Sequence, residues 1–225
     1  MRRLSRLATA FVGLFTGWTA ASASALPPGF VRLADIAPTI KQDIRYATAN
    51  NFTGRPVPGY AAAQCWLRRE AAEALARVQA AAELDGLTLV VYDCYRPQRA
   101  TDAFVRWAAD AGDQTRKADY YPGVDKRSLF EQGYIGRKSA HSLGTTVDAA
   151  LARADGAALD FGTRFDLFSP RSATYAAGTP PEAAKNRADF VRRMAAQGFE
   201  NYKNEWWHFT LKGLANPQAH DIEIR

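Results

Sequence analysis

Three histidines occur in the 225 residues, and two of them stand at useful spacing from a carboxylate. His141 lies in SAHSLGTTVDAAL, seven residues before Asp148, and His208 lies in NEWWHF, three residues after Glu205. Two imidazoles and one carboxylate are a normal ligand set for catalytic Zn2+, with a fourth position left for water. Such an ion lowers the pKa of its water to about 7, so a nucleophile exists at neutral pH. Hydrolysis also needs a base that takes a proton from water and passes it to the leaving amine, and Glu205 is the nearest candidate in sequence. A developing oxyanion needs a positive partner, and the DCYRP turn (93–97) offers Arg96, stiffened by Pro97. His220, the third histidine, is expected to stay outside the site.

Geometry constrains this assembly. Gly144 lets the chain turn between His141 and Asp148, so both can converge from a loop and the strand after it. Glu205 and His208 are three apart, which puts them on opposite faces of a regular strand. Both reach one site only if Glu205 precedes the regular strand or a bulge intervenes. The HExxH helical motif is absent. Each residue also has a structural reading. A histidine in WWHF is ordinarily a hydrogen-bonded core residue, and Arg96 could cap a helix or pair with Asp93. Asp148, between Val147 and Ala149, is harder to account for, because a carboxylate in an apolar strand is rarely buried unless paired or bound to metal. On residue chemistry alone, a metal site and a set of structural polar groups stand about level.

The elements that must position these residues follow from periodicity. Leu67–Leu84 is rich in Ala, Glu and Arg with apolar residues at helical spacing, and Gly86 follows as a stop. Leu87–Tyr92 is a β-branched run that reads as a buried strand ending at the DCYRP turn. The next helix opens at Pro97 and carries Ala100, Phe104 and Trp107 on one face. Thr145–Leu151 and Asn204–Leu211 read as strands, and Pro180–Gly198 as a third helix. Residues 26–64 are rich in loops, Pro and Gly, a composition that more often wraps a site than builds a core. These segments predict an α+β single domain with a small, mostly antiparallel sheet flanked by helices. Neither a repeat nor a low-complexity linker divides it.

Residues 1–25 read as an export signal: Arg2, Arg3 and Arg6, then an apolar stretch too short to span a bilayer comfortably, then ASASA with small residues before a cleavage point after Ala25. An uncleaved membrane anchor is the alternative. Residues 26–225 would then be the mature domain, periplasmic in the first instance and secreted in the second, with no stable membrane anchor. The formal charge of +6 falls to +3 without those three arginines, which leaves no strong electrostatic case for nucleic acid. Hydrophobic residues at 47% and charged residues at 23% are globular values and exclude a disordered chain. Cys65 and Cys94 are the only thiols, and an even pair in an oxidising compartment is more often bridged than free. A reactive or metal-binding thiol is the alternative, although neither cysteine has a second Cys or His at ligand spacing.

SAHSLGTTVD resembles the SxHxxGxAxD motif, and EWWH the ExxH motif, of the zinc D,D-peptidases that include the VanX-type D-alanyl-D-alanine dipeptidases. YATANNFTG (46–54), DCYRPQRA (93–100), YYPGVDK (120–126), GTRFDLF (162–168) and NEWWHF resemble the dipeptidase branch in the same order, over roughly residues 30 to 215. The resemblance implies one Zn2+ per chain held by His141, Asp148 and His208, with Glu205 as general base and Arg96 as transition-state stabiliser. It places Ser139, Tyr46, Tyr60 and Asp166 where the family contacts substrate, in a small closed pocket for a free dipeptide. Thr146 departs from the usual Ala, and the cysteine pair departs from the cytoplasmic resistance enzymes, which fits an exported relative engaged in cell-wall turnover. Two other readings share the zinc chemistry or the zinc alone: a D,D-carboxypeptidase or murein endopeptidase, and a non-catalytic cell-wall binding module. Both Glu205 and Arg96 are present, and a binding module needs neither.

Overall fold

A computed structural model describes residues 26–225; the proposed export signal lies outside the described residues. In chain order the elements are β1 (Phe30–Arg32), α1 (Leu33–Ile36), β2 (Lys41–Gln42), β3 (Trp66–Arg68), α2 (Arg69–Glu83), β4 (Leu87–Asp93), α3 (Gln98–Ala109), α4 (Lys117–Tyr120), β5 (Thr146–Arg153), α5 (Pro181–Ala195), β6 (Phe199–Asn201) and β7 (His208–Leu211). A five-stranded sheet runs β2-β4-β5-β7-β6, and β1 pairs with β3 in a second, two-stranded sheet. Among the strands of the described residues only the β2–β4 pair is parallel, so the architecture is the expected α+β type with a mostly antiparallel sheet.

Strand β5 is central and buried from Thr146 to Ala152, which explains its almost unbroken apolar reading and isolates Asp148 as its one carboxylate. Helix α2 presents Ala71, Leu75, Val78 and Ala82 at spacings of four and three, and packs on β4 and α5. In α5, Ala183, Arg187, Phe190 and Met194 form the corresponding stripe. Arg187 is buried there because Phe161, Arg171 and Ala173 carbonyls accept its N–H groups, which ties the 161–179 loop to the helix.

Three departures from the sequence reading have physical causes. The helix expected from Leu67 starts at Arg69, because Trp66–Arg68 pairs with Phe30–Arg32 and so satisfies its backbone bonds across chains of sequence more than thirty residues apart. Strand β6 arises where Gly198, at φ 86°, turns the chain directly from α5 back onto β7. The strand expected over Asn204–Leu211 is regular only from His208 onward. Residues 26–64 both wrap and build: Leu33, Ile40 and Ile44 join the core, while Tyr46 and Phe52 face a cavity.

Candidate active site

The site rests on a row across three strands. Asp93 at the end of β4 lies opposite Asp148 in β5, and Asp148 lies opposite His208 in β7. Cross-strand partners project on one face, so residues far apart in sequence converge without a special loop. Register between Val91 and Asp93 slips by a residue, which turns Asp93 out of strict alternation. His141 comes from a 3-10 turn, Ala140–Leu143, in which the His141 N–H donates to the Ser139 hydroxyl. Gly144 ends that turn at φ 71°, and a side chain there would strike the Phe30 ring. Glu205 precedes the regular strand. A turn in which His208 N donates to Glu205 O brings it onto the face of His208 despite the spacing of three.

His141 Nε2 lies 3.3 Å from His208 Nδ1 and 3.3 Å from Asp148 Oδ1, and His208 Nδ1 lies 3.0 Å from the same oxygen. A tetrahedral ion with bonds of about 2.0–2.1 Å sets its ligands about 3.3–3.4 Å apart, so the triangle fits such an ion. Asp148 Oδ1 is buried and accepts no hydrogen bond, which leaves it free to coordinate an ion. His141 Nδ1 donates to the Cys94 carbonyl at 2.7 Å, which leaves the Nε2 lone pair facing the triangle. Among the described residues this is the cluster able to hold a metal. His220 is not part of it; its ring packs against Phe30.

Burial by itself would raise the Asp148 pKa, but His141 and His208 outweigh it and hold the carboxyl well below its ordinary range. Burial pushes Glu205, 3.6 Å from His208 Nδ1, up to about 7, with His208 opposing and Asp148 adding to the shift. A bound dication would draw that value back down. Arg96 loses solvation but gains Asp93 at 2.8 Å, and its pKa ends well above the ordinary one. The guanidinium lies 5.2 Å from the Tyr46 ring and 5.0 Å from that of Phe104.

These groups line a cavity of about 250 Å³, below the usual range for drug-sized ligands and suited to a small one. Arg96, Ser139, Tyr46 and Asp166 reach its wall, together with Phe52, Phe104, Phe168, Tyr202 and the 133–140 loop. Asp166 sits at φ 61° and accepts a 2.8 Å hydrogen bond from Tyr46 Oη. Burial, and then the Asp148 charge, raise its pKa well above its ordinary value. Tyr60 differs from its expected place: it does not line the cavity, and its hydroxyl donates to Asp93 Oδ1 at 2.6 Å behind Arg96. The reason is that Asp93 is wholly buried and needs donors. Asp93 itself was visible in sequence only as a possible partner of Arg96. The signal that singled out Asp148, a carboxylate at an apolar strand, applied to it equally. Cys65 and Cys94 are disulfide-bonded, which joins the residue before β3 to the turn that carries Arg96.

A family profile described as Peptidase_M15, D-ala-D-ala dipeptidase, matches residues 27–223. The chain is 37% identical over 193 residues to a D-alanyl-D-alanine dipeptidase of Enterococcus faecium, covering 85% of this chain and 96% of that one. It is 39% identical over 192 residues to a D-alanyl-D-alanine dipeptidase of Streptomyces coelicolor, with coverages of 85% and 95%. Among solved structures, the LdcB LD-carboxypeptidase superposes with a TM-score of 0.45 at 17% identity, over 82% of this chain and 68% of that one.

Proposed function

Since this chain belongs to the Peptidase_M15 D-Ala-D-Ala dipeptidase family, we propose that it hydrolyses the free dipeptide D-alanyl-D-alanine to two molecules of D-alanine, using one Zn2+ per chain. The observation that carries the reading is the His141–Asp148–His208 triangle with Glu205 3.6 Å from His208 and Arg96 3.8 Å from Asp148. His141 Nε2, Asp148 Oδ1 and His208 Nδ1 would hold the ion, which when bound supplies Lewis acidity to a carbonyl oxygen and to water.

Glu205 takes a proton from the attacking water as the new C–O bond forms, and delivers it to the amide nitrogen as the C–N bond breaks. Arg96, kept charged by Asp93, faces the carbonyl oxygen as negative charge grows there. Asp166, with Tyr46 behind it, holds the substrate ammonium, and the raised affinity of its carboxyl for a proton is the counterpart of its demand for a cation. Ser139 Oγ, 3.5 Å from Arg96 Nη1, lies on the same wall.

Export is proposed with this function. The pattern of residues 1–25 supports it, as does a disulfide of the kind that persists in oxidising compartments. The role is then turnover of cell-wall dipeptide outside the cytoplasm. The N-terminal sequence of the protein recovered from cell fractions tests this, with Leu26 expected as the first residue.

The activity is tested by a panel of D-Ala-D-Ala, L-Ala-L-Ala and a longer peptide ending in D-Ala-D-Ala, with and without chelator. Chelator-sensitive cleavage of D-Ala-D-Ala alone is expected. Faster cleavage of the longer peptide would favour a carboxypeptidase, and bound zinc with no cleavage would favour a binding module.

A further inference from the structure

Arg96 is not a free arginine pointing into a cavity. Asp93, with no solvent exposure, accepts from Arg96 Nε at 2.9 Å and Nη2 at 2.8 Å, both on Oδ2. The guanidinium is therefore pinned along one edge, and its Nη1 corner has only Ser139 Oγ at 3.5 Å. The other Asp93 oxygen accepts from Tyr60 Oη at 2.6 Å and from Cys94 N at 2.9 Å. Two of these four bonds come from groups other than Arg96, Tyr60 Oη and Cys94 N, so Asp93 keeps its place if the arginine moves. The next carboxylate is Asp148, whose Oδ2 lies 3.8 Å from Arg96 Nη2. Without Asp93, the guanidinium would be drawn onto the very residue that must keep an oxygen free for a metal.

We infer that Asp93 is a positioning residue that aims Arg96 at the reacting carbonyl and keeps it off Asp148, with Tyr60 locking Asp93 in place. The inference rests on the dipeptidase reading above. It also explains why Tyr60 belongs to the site without reaching the cavity: its hydroxyl acts through Asp93 and then Arg96.

The test is a double-mutant cycle on the metal-loaded protein with D-Ala-D-Ala as substrate. By analogy with the outer partners that orient metal ligands, typically worth 10–100-fold, Asp93→Asn at full metal content should lower kcat by about that factor with KM changed less than about threefold. In an Arg96→Ala background the same substitution should lower kcat by less than about twofold, because the group it positions is gone. Wild-type kcat in Asp93→Asn, or losses that multiply in the double variant, would overturn the inference. If Asp93→Asn does not fold, Tyr60→Phe keeps the ring and removes one donor. A kcat loss of about three- to tenfold that vanishes in Arg96→Ala then supports the inference, and an unchanged kcat overturns it. Cleavage by the wild type with loss in Arg96→Ala upholds the dipeptidase reading whatever Asp93 does. An Arg96→Ala variant as active as the wild type would sink the positioning role.

Discussion

Glu205 lies beside the metal triangle without being a corner of it, so its removal separates catalysis from ion binding. Glu205→Ala should retain one zinc per chain and lose about 10²–10⁴-fold in kcat, while His141→Ala or His208→Ala should lose metal and activity together. Elemental analysis beside steady-state kinetics checks both; near wild-type turnover in Glu205→Ala would reject it as the base. Asp166 makes a prediction of opposite sign for stability and function. Its folded pKa lies above the unfolded value, so the folded state binds the proton more tightly and stability declines as pH rises through that window. Asn keeps the acceptor for Tyr46 and tolerates φ 61°, so Asp166→Asn should raise Tm at pH 7, by about 2–4 °C for each kcal/mol relieved. The same change should raise KM, because the ammonium loses its counter-charge. For the wild type, KM should climb as pH falls and Asp166 takes up its proton, and the Asn variant should lack that limb. Thermal unfolding at two pH values and a pH profile of KM decide the matter.

Among the elements, the turn after β4 carries more than its length suggests. Cys94 is bridged to Cys65, its carbonyl accepts from the His141 ring, and its N–H is bound by Asp93. The bridge closes 29 residues, for which the chain-entropy model gives about 3–4 kcal/mol. A Cys65→Ser, Cys94→Ser double variant should therefore unfold at lower temperature. Because the bridge holds the turn whose Cys94 carbonyl fixes the His141 tautomer, a variant without it should also bind zinc more weakly, by up to about 10–100-fold if that outer contact is lost. Metal titration against a competing chelator reads the second effect apart from the first. Unchanged zinc affinity in a destabilised protein would confine the bridge to a stability role. Strand identity was legible here from β-branched composition, but the slip at Asp93 was not. A bulge depends on what the partner strand presents, and the partner is β5, more than fifty residues away.

Across the molecule, four carboxylates (Asp93, Asp148, Asp166 and Glu205) share the buried site with one arginine. A divalent ion offsets much of that charge, so its loss should be felt by the whole fold. At about 1,000 times Kd, a ligand bound only by the folded state adds about 4 kcal/mol. At 2–4 °C per kcal/mol in a domain of this size, chelation should lower Tm on the order of 10 °C, reversed by Zn2+ and unchanged in His220→Ala. A Tm indifferent to chelator would contradict a site built around an ion. The cavity is bounded by stretches far apart in sequence, among them residues 46–52, α3, the 133–140 loop, 166–168 and 202–208. No single segment encodes its size.

Residue type and short spacing by themselves determined the chemistry open to this protein. Few histidines, a carboxylate inside an apolar strand, and an arginine on a proline-stiffened turn are local features, and local sterics and the cost of burying charge make them readable. The motifs around them carried the family resemblance. Strand register could not be read, because it is set by how distant strands pair and by which face each one buries. That register aligns Asp93, Asp148 and His208 in one row, and the pairing of β1 with β3 shortened the expected helix. The placement of Glu205 in a turn before β7 brought it round to His208. Tyr60 shows the difference most plainly. Its sequence position suggested a substrate contact, but the packing gave its hydroxyl to Asp93, because a buried carboxylate takes the donors that tertiary structure brings within reach.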